Sequence, residues 1–273
     1  MLPSLKYFIF LINISAVLCN VTSQAEFNAT NEILAIKTQL ADLKAEQDRL
    51  RLFQSYVGLH YVSSCAEATA NSQSSGIYDI YVPNYIQNPF KVACDAETQD
   101  GGWTTILNRV DGSVDFYRNW TYYKNGFGNL DGEFFLGLDK IHALTAEYSQ
   151  ELLVILEDYL GTEVYEKYEK FAIGDESEDY VLHTLGTASG TAGDSLRDNY
   201  RQKFSTYDRD NDAWFAGSCA TGQQGAWWYN SCTSANLAGT YNGTLDQGIF
   251  WTEFRAYISL KKATMMIRPR KSS

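Results

Sequence analysis

The chain has 273 residues, a formal net charge of −11, and 14% aromatic residues, among them 19 tyrosines and 6 tryptophans. So acidic a balance makes nucleic acid and anionic membrane poor partners. Three histidines and no Cys-x-x-Cys pair leave little from which to build a zinc site.

The N-terminus comes first. Lys6 precedes the apolar run YFIFLINISAVLC. That run has the length of a secretory signal and falls short of the roughly 20 residues a membrane span needs. The expected signal peptide is residues 1–25, with cleavage after Cys19 or after Ala25. No later stretch is apolar enough to span a bilayer, so a secreted, extracellular chain is expected. Cys19 leaves with the signal, and Cys65, Cys94, Cys219 and Cys232 remain. An even number in a secreted chain reads as two disulfides. Three connectivities are open, of which pairing near neighbours is the simplest. Asn20, Asn28, Asn119 and Asn242 each open a glycosylation sequon, Asn20 only if cleavage is early.

Residues 26–60 have a different texture. No Gly, Pro or Cys occurs before Gly58. Ile33, Ile36, Leu40, Leu43, Leu50 and Val57 follow a 3-4 spacing, interrupted by Gln47 and Gln54. Lys37, Asp42, Lys44, Glu46, Asp48 and Arg49 lie mostly off that stripe. The pattern predicts an amphipathic helix of about three and a half heptads. It packs on its own domain or forms a short coiled coil that makes a homo-oligomer. The second is favoured because few features link the segment to the cysteine-bounded domain after it.

From Cys65 the apolar runs are short. IYDIYV and WTTILNRV alternate like strands. AEYSQELLVILEDYL, over 146–160, is ambiguous, and its LLVIL centre fits a buried strand. TLGTASGTAGDS, over 184–195, reads as loop, and FRAYISLKKATMMIRP reads as strand. About 200 residues of this kind suit one α+β domain without internal repeats. Enzyme signatures are missing: there is no G-x-S-x-G, no HExxH and no cysteine left over as a nucleophile. His142 and His183 read as packed structural residues, and Glu176 and Glu178 as a solvated face.

One stretch concentrates unusual chemistry. STYDRDNDAWFAGSCATGQQGAWWYNSCT places Asp208, Asp210 and Asp212 on alternate residues, then Trp227, Trp228 and Tyr229 between two cysteines. Alternating carboxylates suit Ca²⁺, a hard ion that takes oxygen ligands. Counted from Asp208, position 6 is Ala213 and position 12 is Cys219, so the loop is no EF-hand. A solvated acidic turn is the other reading.

DGGWTTILNRVDGSVDFYRNW, GFGNLDGEFFLGLDKIHALT, YEKYEKFAIGDESEDYVLH, GTAGDSL, FSTYDRDND, GAWWYNSC and MMIRP occur in this order. Together they resemble the fibrinogen C-terminal domain found in fibrinogen chains, ficolins, tachylectins, angiopoietins and tenascins, over residues 62–271. The resemblance implies an α+β fold: a small disulfide-linked N-terminal subdomain, a central mixed sheet and a loop-rich C-terminal subdomain. It implies the pairs Cys65–Cys94 and Cys219–Cys232. It also implies a structural Ca²⁺ held by Asp210 and Asp212, with the carbonyls of Trp214 and Ala216 by offset. The interval from Asp212 to Cys219 is one residue longer than the family pattern. A recognition pocket is expected beside the Cys219–Cys232 loop, with the loop's aromatics as its wall, except that at least one of Trp227 and Trp228 is expected to pack in the core. In the acetyl-binding members a histidine stands where this chain has Thr233, an aromatic where it has Gln223 and a tyrosine where it has Leu245; Tyr257 keeps its place. Asp246 resembles the acid with which fibrinogen chains grip a peptide's amino group. The leading expectation is a secreted, calcium-dependent, lectin-like protein that binds glycans, as in innate immunity, and gains avidity through the helix. The alternative is an extracellular protein-binding ligand or adhesion factor with a non-lectin pocket.

Overall fold

The computed structural model describes residues 28, 30–53, 56 and 61–270, apart from 84, 86 and 87. The chain divides into two units, Met1–Leu59 and His60–Ser273. The signal-peptide segment, Asn20, Gln54 and Val57 lie outside the described residues.

In the first unit, residues 30–53 form helix α1. Its stripe of Ile33, Ile36, Leu40, Leu43 and Leu50 is more than half exposed at every position. Asn28, the first sequon residue described, is exposed.

The second unit opens with helix α2 (Cys65–Ser72), capped by the Ser64 hydroxyl, which accepts from the Glu67 N–H. The Cys65–Cys94 disulfide, with Cα atoms 5.3 Å apart, ties that helix to the sheet. Strands β1 (Gly76–Ile80), β2 (Phe90–Asp95) and β3 (Trp103–Arg109) come next, as neighbours. Helix α3 (Trp120–Asn125) leads to the short pair β4 (Phe127–Gly128) and β5 (Phe134–Phe135), and then to helix α4 (Leu138–Glu147). Two glycines permit this compact passage. Gly126 at φ 91° and Gly137 at φ 113° adopt conformations that a Cβ resists, and Cβ atoms there would meet backbone at 2.2 and 2.7 Å.

Strands β6 (Gln150–Glu157) and β7 (Glu163–Ala172) form a hairpin, extended by β8 (Thr184–Leu185) and β9 (Ala188–Gly190). Between β9 and the last strand, all of it described, the only α-helix is α5 (Cys219–Gly222). The chain then ends in β10 (Lys262–Pro269), which inserts between β3 and β6. Met265 pairs with Leu107 on one side and Val154 on the other. The loop-rich segment is thus returned to the centre of the sheet by the final strand.

LLVIL is a strand because it is central. Leu152, Val154 and Leu156 belong to the main core together with Leu138, Ile141 and Leu144 of α4. Leu153 packs on the opposite face with Trp103 and Met266. The Arg268 guanidinium covers that small cluster, 4.1 Å from the Trp103 ring centre. Burial on both faces requires a continuous apolar run, which hides the period of two.

Three expectations change. The sheet implied as mixed is antiparallel in every ladder between named strands among the described residues. Parallel pairing is confined to the isolated bridges Val62–Ile80 and Thr240–Gly248. The segment read as loop over 184–195 contains β8 and β9, short edge strands whose small residues carry little periodicity. The strand read over FRAYISLKKATMMIRP starts only at Lys262, the residues before it being turns.

A buried ion pair joins the sheet to the loop-rich part. Arg109 and Glu133 are each 1% exposed, 3.7 Å apart. One Glu133 oxygen accepts from the N–H groups of Val110, Asp111 and Gly112, and the other from Val114, all within 3.2 Å. Burial pushes the Glu133 carboxyl up, but the backbone donors and Arg109 outweigh it and hold the group below its ordinary value. Arg109 donates to the carbonyls of Leu237 and Gly239 and sits 3.7 Å above the Phe116 ring centre.

Candidate functional site

The acidic loop divides its three aspartates between two tasks. Asp208 accepts from the Trp120 N–H at 2.9 Å and the Thr206 hydroxyl at 2.6 Å, so it caps the start of α3. Asp212 accepts from the Trp214 N–H at 2.8 Å and the Cys219 N–H at 2.7 Å. Asp210 accepts from the Asp212 N–H at 3.3 Å. Burial raises the Asp212 carboxyl above its ordinary value, and the Asp210 carboxylate adds to the rise.

The donor chemistry fits the implied Ca²⁺. The Asp210 and Asp212 carboxylates interact on one loop, an oxygen donor pair of the kind that Ca²⁺ takes. The Trp214 carbonyl already accepts from the Gly217 N–H at 3.2 Å and keeps a second lone pair. Among the described residues no group of three or more His, Cys, Asp or Glu side chains is placed to hold a metal. A cation held by Asp210 and Asp212 would need backbone oxygen and water to complete its ligands.

Asp212 links this loop to a cavity. Through the Cys219 N–H it fixes the start of α5, whose Ser218 cap accepts from the Thr221 N–H. Cys219 is bonded to Cys232, with Cα atoms 5.4 Å apart. Gln223 comes directly after α5, and together with Cys232, Thr233, Asp246 and Tyr257 it lines a depression of about 380 Å³. A second depression of about 310 Å³ adjoins it, sharing Cys232, Thr233 and Tyr257 and adding Asp198 and Ser234. Four of the five residues singled out for a pocket thus share one cavity. The fifth, Leu245, opens the 3-10 turn Leu245–Gln247, and its side chain lies outside the described part of the chain.

Each lining group has a distinct state. Gln223 is 7% exposed, and its side-chain oxygen is buried without a hydrogen-bond partner. Asp246 is exposed at the rim. Tyr257 is half exposed at φ 55°, a left-handed conformation uncommon for a bulky residue, with its ring 5.3 Å from Phe250. Thr233 is saturated. Its oxygen accepts from Asn199 Nδ2 at 2.9 Å and the Ala235 N–H at 3.1 Å, and donates to the Ala235 carbonyl at 2.7 Å. A hydroxyl has one proton and two lone pairs, so Thr233 has none left for a ligand. Ser234 donates to Asp198 in the second depression. No Lys, Arg or His among the described residues lines either depression, and both carry a carboxylate.

The expected aromatic wall is not there. Trp227, Trp228 and Tyr229 are at most 1% exposed and belong to the core. Trp228 Nε1 donates to the Tyr180 carbonyl at 2.7 Å, and its ring meets Phe204 edge-on at 5.1 Å. Rings this large gain more from full burial than from lining an open cavity.

Sequence reasoning missed the residue that assembles the cavity. Asn236 is fully buried. Its Nδ2 faces the carbonyls of Gln223, Asp246 and Gly248 at 3.2, 3.4 and 3.2 Å, while its Oδ1 accepts from the Tyr229 hydroxyl at 2.8 Å. It gathers both cavity-lining segments onto one amide. Nothing in the surrounding SANLAG marks it. Asn199 does similar work for Trp228 and Thr233.

Among the described sequon residues, Asn28 and Asn242 are exposed and Asn119 is half-buried. Asn119 caps α3 through Oδ1, which accepts from the Tyr122 N–H at 3.1 Å, so Nδ2, the atom a glycan takes, is not used by the cap.

These features define a disulfide-stapled α+β domain whose C-terminal loops enclose an anionic cavity. The family described as "Fibrinogen beta and gamma chains, C-terminal globular domain" matches residues 62–270, and the chain belongs to it. Angiopoietin-related protein 6 of Homo sapiens is 44% identical over 216 residues, which cover 76% of this chain and 45% of that protein. The chain thus spans less than half the length of that relative. The solved fibrinogen-like globe domain of human ANGPTL2 superposes with a TM-score of 0.74 at 43% identity, covering 77% of this chain and all of that one. A lamprey fibrin D-dimer, complexed with the peptide ligand Gly-His-Arg-Pro-amide, superposes with a TM-score of 0.71 at 29% identity, covering 99% and 96%. No helix among the described residues is long and apolar enough to cross a membrane.

Proposed function

We propose that the second unit is an extracellular protein-recognition module, nearer to an angiopoietin-type ligand than to a lectin, whose cavity takes a protonated amine of a partner protein. The observation that carries this is a cavity whose lining joins Gln223, its side-chain oxygen buried without a hydrogen-bond partner, to the exposed carboxylate of Asp246. A buried acceptor costs about 1–3 kcal/mol until a donor reaches it, and an ammonium group supplies donors and a charge opposite to Asp246. An N-acetyl group offers a methyl, an acceptor and a single neutral N–H, and brings no positive charge to Asp246. The positions that would grip it as a lectin does hold a saturated Thr233 and an amide in place of an aromatic. A peptide ligand in the lamprey neighbour supports the same reading. Two disulfides support an oxidising compartment. In this reading Ca²⁺ is structural, bound by Asp210, Asp212 and the carbonyls of Trp214 and Ala216, and it steadies the cavity through the bond from the Cys219 N–H to Asp212.

Calorimetry on the secreted full chain, with calcium, tests this against short peptides whose amino terminus is free or acetylated. Binding of the free peptide, lost on acetylation and weakened at least about tenfold by Asp246→Asn, is expected. Binding of N-acetyl sugars with silence toward every free-amine peptide would return the lectin reading.

A further inference from the structure

We propose that a separate cavity on the second unit binds a small carboxylate carried on an apolar stem about the size of an aromatic ring. The cavity, of about 190 Å³, is lined from the end of helix α3, from strands β4 and β5 and from helix α4, with Lys91 of β2 and Lys140 of α4 among its residues. It shares no lining residue with the two depressions beside the Cys219–Cys232 loop, and the proposal is independent of what those bind. They carry carboxylates and no base; this cavity carries two lysines and, among the described residues, no Asp or Glu.

The Lys140 charge is unmatched. Among the described residues Lys140 enters no ion pair; its ammonium donates to the carbonyls of Asn125 at 2.6 Å and Leu136 at 3.2 Å. An ammonium has three N–H bonds, so one is left for a ligand. The acids closest in sequence are engaged elsewhere. Asp139 takes Lys124 and the Tyr180 hydroxyl, and Glu133 takes Arg109 and the backbone that follows it. Burial pushes the half-buried Lys140 ammonium below its ordinary value, with only Asp139 acting against the fall, and a carboxylate from outside would favour the charged form. Lys91 gives one N–H to Asp79 at 3.0 Å and keeps two. The remaining wall selects the stem. Phe127, Leu130, Phe134, Phe135 and Leu136 supply apolar surface, and Phe127 and Leu130 are only half-buried. A bare inorganic anion leaves that surface wet, whereas a ring covers it. An apolar cavity of about 150 Å³ takes benzene, so 190 Å³ has room for a ring and its carboxylate.

Benzoate is the probe, titrated against the full chain and followed by ligand-observed NMR. A ligand this small should bind with a millimolar Kd. Benzamide has the same shape and no charge, and should bind about tenfold more weakly or worse. Lys140→Gln should weaken benzoate about tenfold. Lys91→Glu should do the same by setting a like charge at the cavity; its pair with Asp79 is exposed on both sides, so Tm should hardly move, and this variant decides the matter if Lys140→Gln folds poorly. Asp246→Asn should leave benzoate affinity unchanged. The site is refuted if benzoate does not bind, if benzamide binds as tightly, or if folded lysine variants keep wild-type affinity. A loss of benzoate in Asp246→Asn assigns the binding to the other cavity and refutes it too. N-acetylglutamate amide bound more tightly than benzoate overturns the small-molecule reading in favour of an acidic side chain of a protein.

Discussion

Replacing Asn236 with alanine tests whether one amide assembles the cavity. The change orphans the Tyr229 hydroxyl and removes the donor shared by the carbonyls of Gln223, Asp246 and Gly248, in a position with no exposure. Each buried polar group left unsatisfied costs about 1–3 kcal/mol. The hydroxyl and the two nearer carbonyls carry most of the loss, and part of it relaxes away, which leaves about 3–5 kcal/mol. For a domain of this size each kcal/mol moves Tm by about 2–4 °C, so a fall of about 6–20 °C is expected in scanning calorimetry. Stability alone does not isolate the role, because any large core truncation destabilises. Leu156→Ala, in strand β6, supplies the control, with an expected loss of about 2–5 kcal/mol. At a temperature where both variants are folded, Asn236→Ala should lose peptide affinity and Leu156→Ala should keep it. A Tm within about 2 °C of wild type, roughly the cost of half a kcal/mol, or equal affinity in the two variants, refutes the reasoning.

The same geometry carries other expectations. Glu133→Gln weakens a carboxylate that serves four N–H groups and Arg109, and should lower stability by about 3–5 kcal/mol at neutral pH, measured by urea unfolding. The folded-state Glu133 titrates below its unfolded value, so its contribution is complete above about pH 4.3 and is lost as pH falls further. Below that pH the variant should lose stability less steeply than wild type. Saturating Ca²⁺, at about a hundred times its Kd, should stabilise the domain by about 2.7 kcal/mol, and Asp210→Ala/Asp212→Ala should abolish the rise; a wild-type Tm indifferent to calcium and chelator would count against the site. Removing the disulfide by Cys219→Ser/Cys232→Ser should cost about 3 kcal/mol and peptide binding with it, since Cys232 lines both depressions. Removing the other by Cys65→Ser/Cys94→Ser should cost about 3.5 kcal/mol and leave peptide binding intact.

What could be read from the residues was local or repetitive. The 3-4 spacing of Ile33 to Leu50 marks α1, because a helix repeats its face within one segment. The ordered motifs over 62–271 marked the family and with it the fold, and the acid repeat drew attention to Asp210 and Asp212. The resemblance also pointed to Gln223, Thr233, Asp246 and Tyr257, which line one cavity. Their states could not be read, because they depend on partners far along the chain. Thr233 is saturated by Asn199 and Ala235, while the Gln223 oxygen is buried and bonded to nothing, and the two residue types alone would rank them alike. The three aromatics of GAWWYNSC suit a pocket wall or a core equally well by composition, and rings from distant segments, Phe171 and Phe204 among them, pack against Trp228 in the core. Asn236 is silent in its own sequence context and central in space. Strand β10 lies beside residues more than a hundred positions earlier, where no periodicity in its own eight residues points. Burial and hydrogen-bond saturation are relations between segments, and a segment's pattern records its own face without recording what that face meets.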